Sequence, residues 1–515
     1  MLKEIKMRKF MKSFSYKLLS MLLVGMFFVT SCSNEDLLEL NQDPNVAAEI
    51  DPAYMLATAQ LQISGGRYET WRGVLIYSST MIQHMAALPG YWSGDKYLYN
   101  PQYSGALYER AYPSYVKLLA AVLEQTNDNP QLVNVNAAAK VMWVLGMSRL
   151  TDMYGDIPYF QAGRGFYDNE YTPAFDPQSE IYPDMLQKLE EAASAFDPSL
   201  GGFGNAGVQD LLFGGDIDQW QKFTHSLMLR LAMRLTKVDE GLAQQYVQTA
   251  INGGVMESNA DIAYMEHTDG PGGVNRNGIG EVFNADANQR LSKTFVDHLM
   301  NTSDPRVEVF ATTNENGEIK GMPNGYDATT INEFEGVGED ESVTRDLYST
   351  TNPLMTQFSS PMFLQTYAEV EFLLAEASLR GWHNGDAATH YENGVRAAME
   401  YLTLYDESLA ITGDQIDAYL SENPFTEAEG METIGEQYWV VTFLNDYESW
   451  ANWRRTGYPE LTPVNYPGNI TNGQIPRRLR YFEAEYGNNG DELNAALQRM
   501  GPDEFTTRIW WDVEQ

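Results

Sequence analysis

Apolar residues recur at helical spacing along most of this chain, in blocks joined by short links, and that pattern restricts the fold more than any single motif. From Asn134 to Tyr154 an alanine-rich start leads into a stripe of Val141, Leu145, Ser148 and Asp152. Ser179 opens a second block, with Tyr182, Leu186, Leu189 and Ala193 on one face. Asp216 to Val238 spaces Trp220, Phe223, Leu227, Leu231 and Leu235 for burial. Pro361 to Leu379 reads as a helix with Gly381 as its stop, and Asp386 to Leu402 is its partner across a short Trp382-His-Asn-Gly385 link. Glu432 to Arg455 gives a further helical stretch. The expected fold is therefore mainly α, a tetratricopeptide-like scaffold of helical pairs with minor β, although no repeat of fixed period accompanies it. Long Gly, Asn, Pro and Tyr-rich segments interrupt the scaffold at Pro89 to Ser104, Gly163 to Phe175, Asp269 to Asn284 and Gly321 to Phe358. Loops of that length inside a domain usually carry function, so the helices are expected to hold and the loops to bind.

The first 36 residues carry a different kind of information. Lys3, Lys6, Arg8, Lys9, Lys12 and Lys17 precede an apolar run from Leu18 to Val29, followed by Thr30, Ser31 and Cys32. A cationic start, an apolar stretch and small residues before a cysteine read as a bacterial lipoprotein signal. The apolar run is shorter than the ~20 residues that a membrane-spanning helix needs. Cys32 is the only cysteine in 515 residues, so no disulfide framework exists and its position suits lipid attachment. Residues 1–31 are thus expected to be a signal peptide, 32–51 a lipidated tether, and 52–515 a single domain. Ser33, Asn34, Glu35 and Asp36 form a short acidic patch at the start of the tether, which resembles the export signal that sends some bacterial lipoproteins to the outer face of the outer membrane; the alternative is a solvated charge run.

Composition narrows the partners. The formal net charge is −37, and removing a signal with six basic residues and one acid leaves the remainder near −42. Such a charge repels phosphate backbones, which argues against nucleic acid, and repels anionic lipid heads, which leaves membrane attachment to the acyl anchor. Apolar content of 43% is ample for a packed core. Many of the 31 Tyr and 10 Trp must lie in the core, and a surplus of such rings on an acidic protein suits ligand stacking.

Catalytic machinery is not legible. His84, His225, His267, His298, His383 and His390 form no H-E-x-x-H pair, and no G-x-S-x-G elbow or phosphate loop is present. His383 and His390 are seven apart, for which a solvated or capping role is favoured over a metal site. The glycines between Gly270 and Gly280 follow no strand and read as a flexible loop. The expectation is a binding protein rather than an enzyme, with no cofactor.

Six blocks, taken in order, resemble the SusD/RagB family of outer-membrane nutrient-binding lipoproteins. They are Thr151-Asp-Met-Tyr-Gly-Asp-Ile-Pro-Tyr159 with Tyr171 to Tyr182, Gly215 to Arg234, Ser292 to Phe295 with Asp304-Pro-Arg306, Tyr367 to Ala377 with Arg380-Gly-Trp382, Trp450 to Pro459, and Arg508 to Asp512. Asn41 to Pro44 is similar to the Asn-x-Asp-Pro opening of one branch. The resemblance implies a helical lid over a SusC-like TonB-dependent transporter barrel, a lipid anchor at the outer membrane facing the cell exterior, and oligosaccharide or, in some members, oligopeptide ligands. A structural or adhesive surface protein is the competing class. Most motif residues read as scaffold: Pro158 as a helix stop, and Arg230 and Arg234 as partners of Glu369, Glu371 or Glu376.

The ligand site is expected in the first long loop. Tyr91, Trp92, Tyr97 and Tyr99 lie within nine residues, bounded by Pro89-Gly90 and Asn100-Pro101, with Asp95 and Lys96 among them. A loop that short has difficulty burying four large rings, so some should face ligand. The alternative is that the rings pack the loop onto the scaffold. Asp269 to Asn284 is the next candidate.

Overall fold

Many of the longer helices start in this protein where a side chain satisfies backbone N–H groups that lack an intrahelical acceptor. The computed structural model describes Met7, Met11 and residues 50–201, 203, 209–335 and 345–514. The chain divides into two units, Met1–Asp51 and Pro52–Gln515, and the second is described below. Cys32 and the acidic patch after it lie outside the described residues.

The longer helices, in chain order, are α1 Pro52–Ser64, α2 Lys117–Thr126, α3 Val133–Tyr154, α4 Gln178–Ala195, α5 Ile217–Arg234, α6 Glu240–Gly253, α7 Gly278–Ala285, α8 Lys293–Asn301, α9 Tyr367–Leu379, α10 Ala387–Glu400, α11 Gly413–Glu422, α12 Gly430–Val441, α13 Asp446–Thr456 and α14 Gly490–Met500. Asp216 caps α5 by accepting from the Gln219 N–H, and Ser292 caps α8 through Phe295. Thr366 and Glu369 form a reciprocal capping box on α9. Among the described residues, strand is confined to two short antiparallel pairs, β1 Met85–Ala86 with β3 Arg290–Leu291 and β2 Ala263–Met265 with β4 Met362–Gln365.

Successive helices pack in layers: α2 on α3, α3 on α4, α4 on α5 and α5 on α6. A second stack joins α9 to α10 and α12, and α12 to α13. On α4 the expected stripe is buried at Tyr182, Leu186 and Leu189, with Ala192 rather than Ala193 completing it. Gly381 adopts φ 72° just beyond α9, the left-handed turn expected of a helix stop.

Four boundaries differ from the sequence reading. Pro361 to Leu379 is not continuous helix, because Met362–Gln365 pairs with β2 before Thr366 starts α9. The stretch Glu432 to Arg455 is broken into α12 and α13, with Leu444 at φ 69° in the turn. The segment Asp269 to Asn284 ends in helix α7, whose first N–H groups are accepted by the Asn277 side chain, so it is not a loop throughout. Pro158 does not itself end α3. The helix stops at Tyr154, and Ile157 bridges to Asp176.

Buried charges tie the stacks together. Arg230 on α5 pairs with Glu369 on α9 at 2.7 Å, as expected, whereas Arg234 pairs with Glu448 on α13 at 2.6 Å. Tyr438 on α12 donates to Glu448 at 2.7 Å, and Asp152 on α3 accepts from Tyr182 and Trp511. Glu371 and Glu376 serve other partners: His390 for the first, Arg455 and Arg380 for the second. A buried pair gains little net stability but strongly disfavours any packing that separates its members, so this network fixes how helices distant in sequence meet.

Candidate functional site

The first long loop points its rings largely inward. Trp92 and Tyr97 are 0% and 1% exposed, and Asp95 is 1% exposed. Trp92 Nε1 donates to Asp286 at 3.1 Å. The Asp95 carboxylate accepts from Asn324 Nδ2 at 2.6 Å, from the Gly325 N–H and from Lys96 Nζ. Burial raises the Asp95 pKa, opposed by Lys96 and Asn324. Tyr97 Oη accepts from the Val464 N–H and its carbonyl accepts from the Ile470 N–H. Tyr91 remains 39% exposed, donating to Asp286 at 2.8 Å while Asn288 donates to its oxygen. Tyr99 is half-buried beneath the Arg480 guanidinium, 4.0 Å from the ring centroid. Trp92, Asp95 and Tyr97 therefore offer a ligand no surface in this conformation; the loop is short, but the helices around it supply the burial that its own length cannot.

What Asp95 and Tyr97 support is a groove. Asn324 and Gly325, held by Asp95, form one wall, and Val464, held by Tyr97, belongs to the facing segment 462–467. The first two turns of α8 add Lys293, Thr294 and Asp297. Gln83 bridges the floor, donating to the Thr462 carbonyl and accepting from Thr294 Oγ1, both at 2.6 Å. The groove encloses about 630 Å³, within the range of small-molecule sites. None of Tyr91, Trp92, Asp95, Tyr97 or Tyr99 lines it.

Three aromatic residues line it instead. Tyr326 and Phe334 lie 5.4 Å apart between centroids at 56°, and Phe334 is 41% exposed. Tyr466 stands between Pro463 and Pro467 in the facing segment and donates to Asp327 at 2.7 Å. Burial works against ionisation of Asp327, but the Thr330 N–H, Tyr466 and the Thr329 N–H outweigh it and hold the carboxyl down at about 2. The carboxylate therefore stays charged and keeps the Tyr466 hydroxyl, and with it the ring, in place. Apolar ring faces flanked by Asp297, Glu333, Lys293, Thr294 and Asn324 can pack the C–H faces of a sugar while bonding its hydroxyls.

Sequence reasoning missed Tyr326, Phe334 and Tyr466. Two lie in the Gly321 to Phe358 segment, flagged for its length alone; Tyr466 carried only its flanking prolines as a signal. A smaller cavity of about 300 Å³ lies by α2 and α3, lined by Trp143, Tyr159, Phe160, Arg164 and Lys188. Among the described residues, no group of three or more His, Cys, Asp or Glu is placed to hold a metal, and no helix is long and apolar enough to cross a membrane. His84 sits in the core, its two ring nitrogens facing Asp446 at 2.7 Å and the Trp439 carbonyl at 3.0 Å.

Comparison with known proteins agrees with this architecture. The family model SusD-like_2, described as "Starch-binding associating with outer membrane", matches residues 44–482. A solved structure titled "chitin-binding protein" is 32% identical with a TM-score of 0.82, covering 90% of this chain and all of its own. A Bacteroidetes SusD-like protein, AC2a, is 28% identical with a TM-score of 0.78 over 90% and 100% of the two chains. A SusD-like protein from Bacteroides thetaiotaomicron is 25% identical with a TM-score of 0.76 over 90% and 99%. No curated protein matches. With helical pairs of tetratricopeptide-like architecture and a family match over most of its length, the chain belongs to the SusD-like family.

Proposed function

We propose that this protein is a lipid-anchored cell-surface receptor that captures an oligosaccharide in the groove between segments 323–334 and 462–467. It then delivers that ligand to a SusC-like TonB-dependent transporter in the outer membrane. The observation that carries the ligand class is the set of three aromatic residues, Tyr326, Phe334 and Tyr466, lining one groove beside carboxylates and amides. Likeness to a chitin-binding protein along its whole length supports N-acetylglucosamine oligomers as the first ligand to try, and the family's description supports starch fragments as the second. Anchoring rests on Cys32 after its signal, and the exterior-facing orientation on the family resemblance and the acidic patch behind it. The role is binding rather than catalysis, and import energy comes from the transporter's own partners.

The test is calorimetric titration of the full chain with chito-oligosaccharides, malto-oligosaccharides and a peptide library. Each ring contributes about 1 kcal/mol of stacking, so Phe334→Ala with Tyr466→Ala should weaken the binding roughly thirtyfold. Phe160→Ala, in the smaller cavity, should leave it unchanged. Wild-type affinity in the folded double variant would remove the groove from consideration. Exclusive binding of peptides would overturn the sugar assignment but keep the delivery role.

A further inference from the structure

The turn between α9 and α10 brings two imidazoles together. After Gly381 the chain turns back, and the Trp382 and His383 N–H groups bond to the Ala377 carbonyl at 2.9 and 3.3 Å. Asp386 then caps α10 through the Thr389 N–H at 2.8 Å, which aims His390, one turn into the helix, back toward α9. His383 Nε2 and His390 Nε2 lie 3.1 Å apart. On the far side of the second ring, His390 Nδ1 is 2.7 Å from the Glu371 carboxylate. Both histidines are part-exposed, so an ion in solution can reach them.

From this geometry we propose that His383 and His390 form a chelating site for a divalent transition-metal ion of the imidazole-preferring class, Cu²⁺ before Zn²⁺, with solvent completing the coordination. At metal–nitrogen bonds of about 2.0–2.1 Å, two nitrogens on one ion stand about 2.9 Å apart at a right angle and about 3.3 Å apart at the tetrahedral angle. The observed 3.1 Å falls between them. The ring centroids are 5.0 Å apart, shorter than the about 5.4 Å of a head-on N–H···N contact, so the two nitrogen axes converge at an angle. Glu371 accepts the Nδ1 proton of His390, which turns the Nε2 lone pair of that ring toward His383, where it accepts the His383 Nε2–H until a metal ion displaces that proton; this is the carboxylate–histidine arrangement that orients metal-bound imidazoles. Gly385 makes room for the pair: a β-carbon there would stand 2.3 Å from His390 Nε2 and 2.5 Å from His383 Nε2. The site joins the interhelical turn to α10, outside the ligand groove, and copper outranks zinc at such nitrogen sites.

The experiment is titration of the metal-free full chain with CuCl₂ and, separately, ZnCl₂, read by calorimetry and, for copper, by paramagnetic resonance. The expected result is one Cu²⁺ equivalent with two-nitrogen hyperfine structure and weaker binding of Zn²⁺. His383→Ala and Gly385→Ala should each weaken Cu²⁺ at least tenfold, and Glu371→Gln about tenfold or more. His383 makes no contact with Glu371 that its loss would orphan, so this variant stays informative if His390→Ala or Glu371→Gln melts early. Unchanged copper stoichiometry in His383→Ala with His390→Ala, or a one-nitrogen signal in the wild type, would overturn the assignment.

Discussion

Replacing Glu376 by Gln tests how heavily the fold is penalised when one member of a buried ion pair is removed. Glu376 is 1% exposed on α9 and accepts from both terminal nitrogens of Arg455, at 2.7 and 2.6 Å, and from Arg380 at 2.9 Å. Burial by itself would raise its pKa, but Arg455 and then Arg380 reverse that and hold it at about 2 against the usual 4.5. At ~1.4 kcal/mol per pH unit, that gap is worth about 3 kcal/mol to the fold. The folded pKa is the lower one, so the contribution is complete above the unfolded value and fades as pH falls through about 2. Removing one member of such a pair leaves Arg455 buried with a neutral neighbour, which costs about 3–5 kcal/mol. Urea unfolding followed by tryptophan fluorescence should place Glu376→Gln about 3 kcal/mol below the wild type at pH 7. At pH 3.5 the wild-type carboxylate has already lost part of its advantage, and the gap should narrow by about 1 kcal/mol. A gap below about 1 kcal/mol at pH 7, or one that does not change with pH, would refute the reasoning.

Asp95→Asn should destabilise by about 2–4 kcal/mol, because Lys96 and Asn324 lose a charged acceptor, and should also weaken oligosaccharide binding in the groove; urea melts and titration check the two effects. Cys32→Ala should abolish labelled palmitate incorporation, and continued labelling would refute lipidation there. Glu35→Ala with Asp36→Ala should retain the label while reducing access to protease added outside intact cells. Affinity capture of this chain from mild detergent extracts should recover a transporter barrel, and repeated recovery of the lipoprotein alone from nutrient-induced cells would count against the delivery role.

The helical scaffold was legible in the sequence because burial on one face leaves a local signature. Tyr182, Leu186 and Leu189 are spaced by the helix they form, and Thr366 with Glu369 marks a helix start within four residues. The ordered motif blocks, with Arg230 facing Glu369 as expected, were equally readable. The breaks at Thr366 and Leu444 were hidden, since a strand entering a helix and a turn between two helices are both decided by packing across the chain.

The site was a different matter. The sequence shows that Tyr91, Trp92, Asp95, Tyr97 and Tyr99 are crowded into one loop; which way a ring points depends on what stands over it. Residues some 230 and 370 positions downstream, Asn324 and Val464, take up Asp95 and Tyr97, and so turn an apparent binding loop into the support of a groove. Tyr326, Phe334 and Tyr466 line that groove only because segments 323–334 and 462–467 are brought face to face. Periodicity and capping act over a few residues and can be read along the chain. A groove wall is a contact between residues hundreds of positions apart, and only the folded packing decides it.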